Sequence, residues 1–126
     1  MVDTLNAPQI IEHISLPLNY TPFDVKWIPC SAKIVVTGQT PIAKGIIQIY
    51  KMNKGKLELT SEFQKEFGFK CSTFGASSLS SRDLAVGDFE GNLIIYDLVK
   101  GTPNYEIKKA HKNKINAIEG IEGLEI

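Results

Sequence analysis

Val86-Gly87-Asp88-Phe89-Glu90-Gly91-Asn92-Leu93-Ile94-Ile95-Tyr96-Asp97 reads as the tip of a β-hairpin followed by its return strand. Glu90-Gly91 takes the tight turn, where glycine accepts a positive φ that a Cβ opposes and the acid can accept bonds from neighbouring amides. Leu93 to Ile95 is apolar and mostly β-branched, and Tyr96 closes the run with a ring placed to pack between strands. The same texture extends in both directions. Upstream lie Ile10 to Ile14, Val25 to Ile28, Ile34 to Thr37, Ile46 to Tyr50, Leu57 to Phe63, Lys70 to Phe74 and Leu84 to Val86. Downstream lie Tyr105 to Lys109 and Ile115 to Ile118. Turn residues separate these runs, and no window sustains the i, i+3, i+4, i+7 pattern of an amphipathic helix.

Two of these runs overlay each other. Gly45-Ile46-Ile47-Gln48-Ile49-Tyr50 aligns with Gly91-Asn92-Leu93-Ile94-Ile95-Tyr96 at a shift of 46, keeping the glycine, the apolar run and the final tyrosine. Trp27 and Phe74 match as aromatic ends of each first strand, and Gly38 and Gly87 close each second strand. A period of about 45 residues with four strands in each is the pattern of a β-propeller blade. The expected fold is therefore all-β: a fragment of a β-propeller with about two four-stranded antiparallel blades, 23–63 and 69–110, and the first strand of a third within 111–126. The run 8–14 is expected to be a ring-closing strand that does not pair within the first blade. A closed ring needs at least four blades, so 126 residues are expected to leave open edges that favour self-association of the isolated chain.

Composition narrows the function classes. The chain is 43% hydrophobic and 22% charged, as globular domains are, and fourteen basic residues balance fourteen acidic ones. Its pI near 6.7 gives no general drive toward nucleic acid or an anionic membrane. The lysine clusters 51–56 and 108–114 are interleaved with, or flanked by, Glu58, Glu62 and Glu106 and read as solvated edges. The N-terminal residues show no leader pattern, and no apolar run reaches the length of a membrane span. Cys30 and Cys71 are far apart without a CxxC pair, and His13 and His111 stand singly, so neither a metal site nor a cofactor is expected. Gly55-Lys56 lacks the other residues of a phosphate loop, and no GxSxG or HExxH is present.

The hairpin resembles the second hairpin of a WD repeat, with Tyr96-Asp97 where that repeat has Trp-Asp. His111 stands at its Gly-His position, with Ile115 and Ile118 at the usual spacing after it and Ala110 in place of the glycine. Gly38, Gly45, Tyr50, Gly87, Glu90, Gly91, Tyr96, Asp97 and His111 are therefore structural repeat residues, and Asp88, Glu90, Tyr96 and His111 are expected in buried hydrogen-bond networks rather than in catalysis. The first repeat lacks an acid before Gly45 and a histidine at its start, and carries Lys51 after Tyr50. Losing these groups piecemeal fits a stabilising role.

A narrower resemblance follows from Pro8-Gln9-Ile10-Ile11-Glu12-His13-Ile14, Phe23-Asp24-Val25-Lys26-Trp27, Lys70-Cys71-Ser72-Thr73-Phe74, Leu84-Ala85-Val86-Gly87-Asp88 and Ile115-Asn116-Ala117-Ile118-Glu119-Gly120. In order and spacing these are similar to the opening part of the Monad-like WD-repeat family. The resemblance implies a cytoplasmic, non-enzymatic adaptor working with prefoldin-like co-chaperone components and their ring ATPases in axonemal dynein assembly. Tyr96 in place of tryptophan and the segment Gln39 to Lys44 depart from that family's pattern.

As a protein-interaction scaffold, the chain would bind through loops on one face. The candidates are Asp88 and Phe89 in the hairpin turn and Lys112 and Lys114 in the loop after His111, expected side by side. Phe89 has two readings: an exposed aromatic anchor for a partner, or packing against the loop of the adjacent blade. The alternative function, a propeller enzyme acting on a small molecule or peptide, would need a carboxylate or histidine at the central channel.

Overall fold

The computed structural model describes residues 11–75 and 82–120. Within them the chain forms eight strands and no helix: β1 Thr21–Trp27, β2 Lys33–Gln39, β3 Gly45–Asn53, β4 Lys56–Lys65, β5 Phe69–Thr73, β6 Leu84–Asp88, β7 Leu93–Asp97 and β8 Thr102–Ile107. They make two four-stranded antiparallel meanders, β1-β2-β3-β4 and β5-β6-β7-β8, each in chain order.

Alternation gives each sheet two faces. In the first sheet Val35, Ile47 and Ile49 point one way, joined by Ile28 and Phe63. They meet Phe69, Phe74, Leu84, Val86, Ile94 and Tyr96 of the second sheet in a continuous apolar core. Phe69 and Tyr96 pack edge to face within it, ring centres 5.9 Å apart. Polar clamps flank this core. Asp24 on β1 accepts the Ser72 backbone N–H at 2.8 Å and the Ser72 hydroxyl at 3.0 Å. At the far side the Lys65 ammonium donates to the Gly101 carbonyl in the β7–β8 turn and lies 5.0 Å from the centre of the Tyr96 ring.

The opposite face of the first sheet is partly covered by the segment that precedes β1. Leu18 and Tyr20 pack on Val36, Ile46 and Tyr50. The Tyr20 and Tyr50 hydroxyls both donate to Gln48 Oε1, and Gln48 Nε2 donates to Glu62 at 2.6 Å. The opposite face of the second sheet is half covered. Ile115 lies over Gly87 and Cys71, and Gly120 meets Gly75, while Tyr105 stays 57% exposed and Ile107 is also exposed. On the edge strand β1, Val25 and Trp27 face away from the second sheet, 58% and 59% exposed.

Several expected runs shift. β8 begins at Thr102 rather than Tyr105, because the Asp97 carboxylate accepts the Val99 and Lys100 amides, and Gly101, at φ 71°, turns the chain back at once. β1 starts at Thr21 and includes Pro22, which an edge strand tolerates. Residues 11–14 form no strand, and Ile10 lies outside the described residues. Ile115 to Ile118 is not a strand either. No ladder pairs it with a described strand: it crosses the end of β6, where the Ile115 amide is taken by the Asp88 carbonyl.

The overlay also shifts by two. Thr40 and Lys44 close the β2–β3 turn as Asp88 and Asn92 close the β6–β7 turn, so Gly45 corresponds to Leu93, and Gln48, not Tyr50, to Tyr96. The positive φ of Gly91 (85°) is matched by Ala43 (62°), while Gly45 is a ladder residue whose missing side chain leaves room for the Phe67 carbonyl. A slip of two preserves the face, because side chains alternate with that period.

Burial, above all, raises the pKa of Tyr20, Tyr50 and Tyr96; the charge of Glu62 adds to it at Tyr20 and Tyr50, and that of Glu106 at Tyr96. A phenol whose folded pKa lies above its unfolded value holds its proton more tightly when folded. Its contribution is complete below pH about 10 and is lost as the pH rises beyond that. Urea midpoints should therefore hold up to pH about 9 and fall by pH about 11, and Tyr96→Phe should flatten part of that fall.

Candidate protein-binding face

The β6–β7 turn is organised by one carboxylate. Asp88 is 1% exposed, and its Oδ1 accepts the Glu90 amide at 2.9 Å and the Asn92 amide at 2.8 Å. Its Oδ2 accepts Asn92 Nδ2 at 2.8 Å. The Asp88 carbonyl then receives the amides of Gly91 and Ile115. Asp and Asn take such positions because their short side chains bond to backbone a few residues away.

A strap formed by residues 109–115 is stitched to this turn. The Lys109 amide donates to Asn92 Oδ1 at 3.0 Å, the His111 amide to the Gly91 carbonyl at 3.1 Å, and Lys109 Nζ to Glu90 Oε2 at 3.3 Å. The strap comes so near that a Cβ on Gly91 would collide with the His111 carbonyl oxygen. Glycine is thus required there twice, by φ and by space.

Phe89 and the strap residues Lys112 and Lys114 lie on adjoining loops, whereas Asp88, expected beside them as a contact residue, ends β6 with its carboxylate buried in the turn and presents nothing to a partner. Lys114 Nζ lies 6.0 Å from the centre of the Phe89 ring. Phe89 is half-buried and packs edge-on against Phe23 of the first sheet at 5.3 Å and 62°. The contact is with a strand of the neighbouring sheet rather than with the loop that its second reading named, and part of the ring stays accessible. Lys70 Nζ sits 4.5 Å from the centre of the Phe23 ring. Phe23, Lys70 and Asn92 were not singled out from the sequence. Asn92 carries a local signal, an Asx pair four apart around a glycine turn, but Phe23 and Lys70 join the face only through the packing of two sheets.

The repeat residues fall as follows. Gly38 and Gly87 lie in β2 and β6, Gly45 and Tyr50 in β3, and Tyr96 and Asp97 in β7. Gly91, Glu90 and His111 sit at the turn and the strap. Glu90 and His111 depart from the buried network expected of them: both are exposed, Glu90 pairing with Lys109 and His111 serving through its backbone. Asn92 holds the place in the network.

Beside the turn, a cleft of about 530 Å³ opens between the sheets, where Lys65, Lys108 and Lys109 alternate with Glu66, Glu90 and Glu106. Burial and the neighbouring carboxylates push the Tyr96 phenol well above the usual tyrosine range, which keeps it protonated. Among the described residues no cluster of three or more His, Cys, Asp or Glu is placed to hold a metal ion.

No family model matches the chain. It is 51% identical over 127 residues to dynein axonemal assembly factor 10 of Danio rerio and 52% identical over 126 residues to that of Homo sapiens. To the Chlamydomonas reinhardtii protein it is 40% identical over 122 residues. Its relatives are dynein axonemal assembly factors. These matches cover 97–100% of this chain and 34–35% of the relatives, so the chain spans about a third of their length.

Asp88→Ala should cost about 2–4 kcal/mol, since several amides and the Asn92 side chain lose a charged acceptor. His111→Ala and Glu90→Ala, which remove exposed side chains, should stay within about 0.5–1 kcal/mol of the parent in urea denaturation.

Proposed function

We propose that the two sheets are consecutive blades of a WD-repeat propeller, and that the chain is a non-catalytic scaffold in cytoplasmic assembly of axonemal dynein. The single observation that carries the reading is the similarity, at 40–52% identity over nearly the whole chain, to proteins named dynein axonemal assembly factor. The architecture supports it: two meanders in chain order, packed face to face through an apolar core, each with an open outer strand. Partners dock on the face formed by Phe23, Phe89 and the strap. Co-chaperones of the prefoldin-like type and their ring ATPases are the partner class that the Monad-like sequence pattern implies.

The test is co-purification of axonemal dynein heavy chains and of those co-chaperone components from a ciliated cell expressing the protein with or without Phe89→Ala. Loss of both with a melting temperature lowered by no more than a few degrees supports the reading; full retention of both overturns it. The open faces around Val25 and Trp27 and around Tyr105 and Ile107 also favour self-association of the isolated chain. Sedimentation velocity should show species above the monomer at micromolar concentration. A single compact monomer throughout would contradict this.

A further inference from the structure

We propose that the Phe23–Phe89 ring pair, flanked by Lys70 and Lys114 and with Lys112 exposed on the adjoining strap, is a docking point for an acidic peptide segment that carries an apolar side chain. The proposal rests on the reading of this face as a protein-binding one and names the chemistry of what it binds.

Charge carries the argument. The carboxylates nearest the two rings along the chain are engaged elsewhere. Asp88 is buried and saturated by the turn, Glu90 pairs with Lys109, and Asp24 holds Ser72 with Lys26 at 3.7 Å. No described carboxylate pairs with Lys70, Lys112 or Lys114. Lys112 and Lys114 are exposed, and Lys70 and Lys114 lie by the rings of Phe23 and Phe89 respectively. A chain of zero net charge thus concentrates uncompensated positive charge around partly accessible aromatic surface. Carboxylates of a partner would meet the ammonium groups, and an apolar side chain would meet the rings and exclude water from both contacts.

A nucleic acid fits less well. The rings are inclined at 62° and packed edge to face, so they offer no parallel pair of faces on which bases stack. The rim also holds too few cations to follow a phosphate backbone for any distance.

The experiment is fluorescence anisotropy on the full chain with a short fluorescein-labelled peptide of glutamates around a central leucine. Three comparison probes are the serine-for-leucine peptide, a lysine counterpart and a single-stranded oligonucleotide. The glutamate–leucine peptide should bind, weaken as salt rises, and lose roughly tenfold in affinity on Lys112→Glu with Lys114→Glu. Lys54→Glu with Lys56→Glu, at the opposite end of the first sheet, should leave binding unchanged. The serine peptide should bind several-fold more weakly than the leucine one.

Absence of binding, equal binding of the lysine peptide, stronger binding of the oligonucleotide, or indifference to the Lys112 and Lys114 reversals overturns the proposal. If the acidic peptide fails to bind while Phe89→Ala still abolishes co-purification, the acidic class is wrong and the protein-binding face stands. If the peptide binds as described while Phe89→Ala leaves co-purification intact, the docking point stands and the assembly reading falls.

Discussion

The buried carboxylate of Asp88 is the constraint on which the second sheet depends. A carboxylate taken out of water is costly unless its oxygens are bonded, and here both are, to the amides of Glu90 and Asn92 and to the Asn92 side chain. Because those donors come from its own turn, the group fixes the turn's conformation. The fixed turn presents the Asp88 and Gly91 carbonyls outward, where the strap takes them up. Asn92 relays the same order to Lys109 through its amide oxygen. One side chain therefore sets the hairpin, the path of the following loop and the stance of Phe89.

The two sheets are joined by polar contacts at both margins and by apolar packing between them. Asp24 and Ser72 make a directional, charge-assisted contact near the first strands, and Lys65 with Gly101 makes another near the last. Between them the core is apolar and non-directional, supplying area rather than orientation. Polar contacts at both margins restrict how one sheet can slide on the other. The Phe23–Phe89 pair, with one ring from each sheet, keeps its geometry only while that register holds.

Much of this was legible in the sequence, and the misses share causes. The alternating apolar runs and turn residues place all eight strands, because period and turn chemistry are local properties. The repeat register slipped by two since a strand pattern matches itself at every even shift; only the turn closures of Thr40 and Asp88 break the tie. Ile115 has the composition of a strand residue, but a ladder needs a neighbour, which composition cannot supply. His111 and Glu90 carry repeat-like identities, whereas the bonds at their positions come from backbone or surface pairing. Phe23 and Lys70, separated from Phe89 in the chain, enter the site by tertiary packing alone.

The strap has a consequence for the order in which the molecule takes shape during synthesis. The carbonyls of Asp88 and Gly91 receive amides from Ile115 and His111, so the hairpin is completed only by chain made later. At ribosomal rates of ~5–20 residues per second, that delay is about one to five seconds. Throughout it the turn carbonyls stay hydrated and the small-residue surface at Gly87 and Cys71 lies bare. Each sheet is thus partly covered by residues from outside it, the first by a segment already emerged and the second by one still to come.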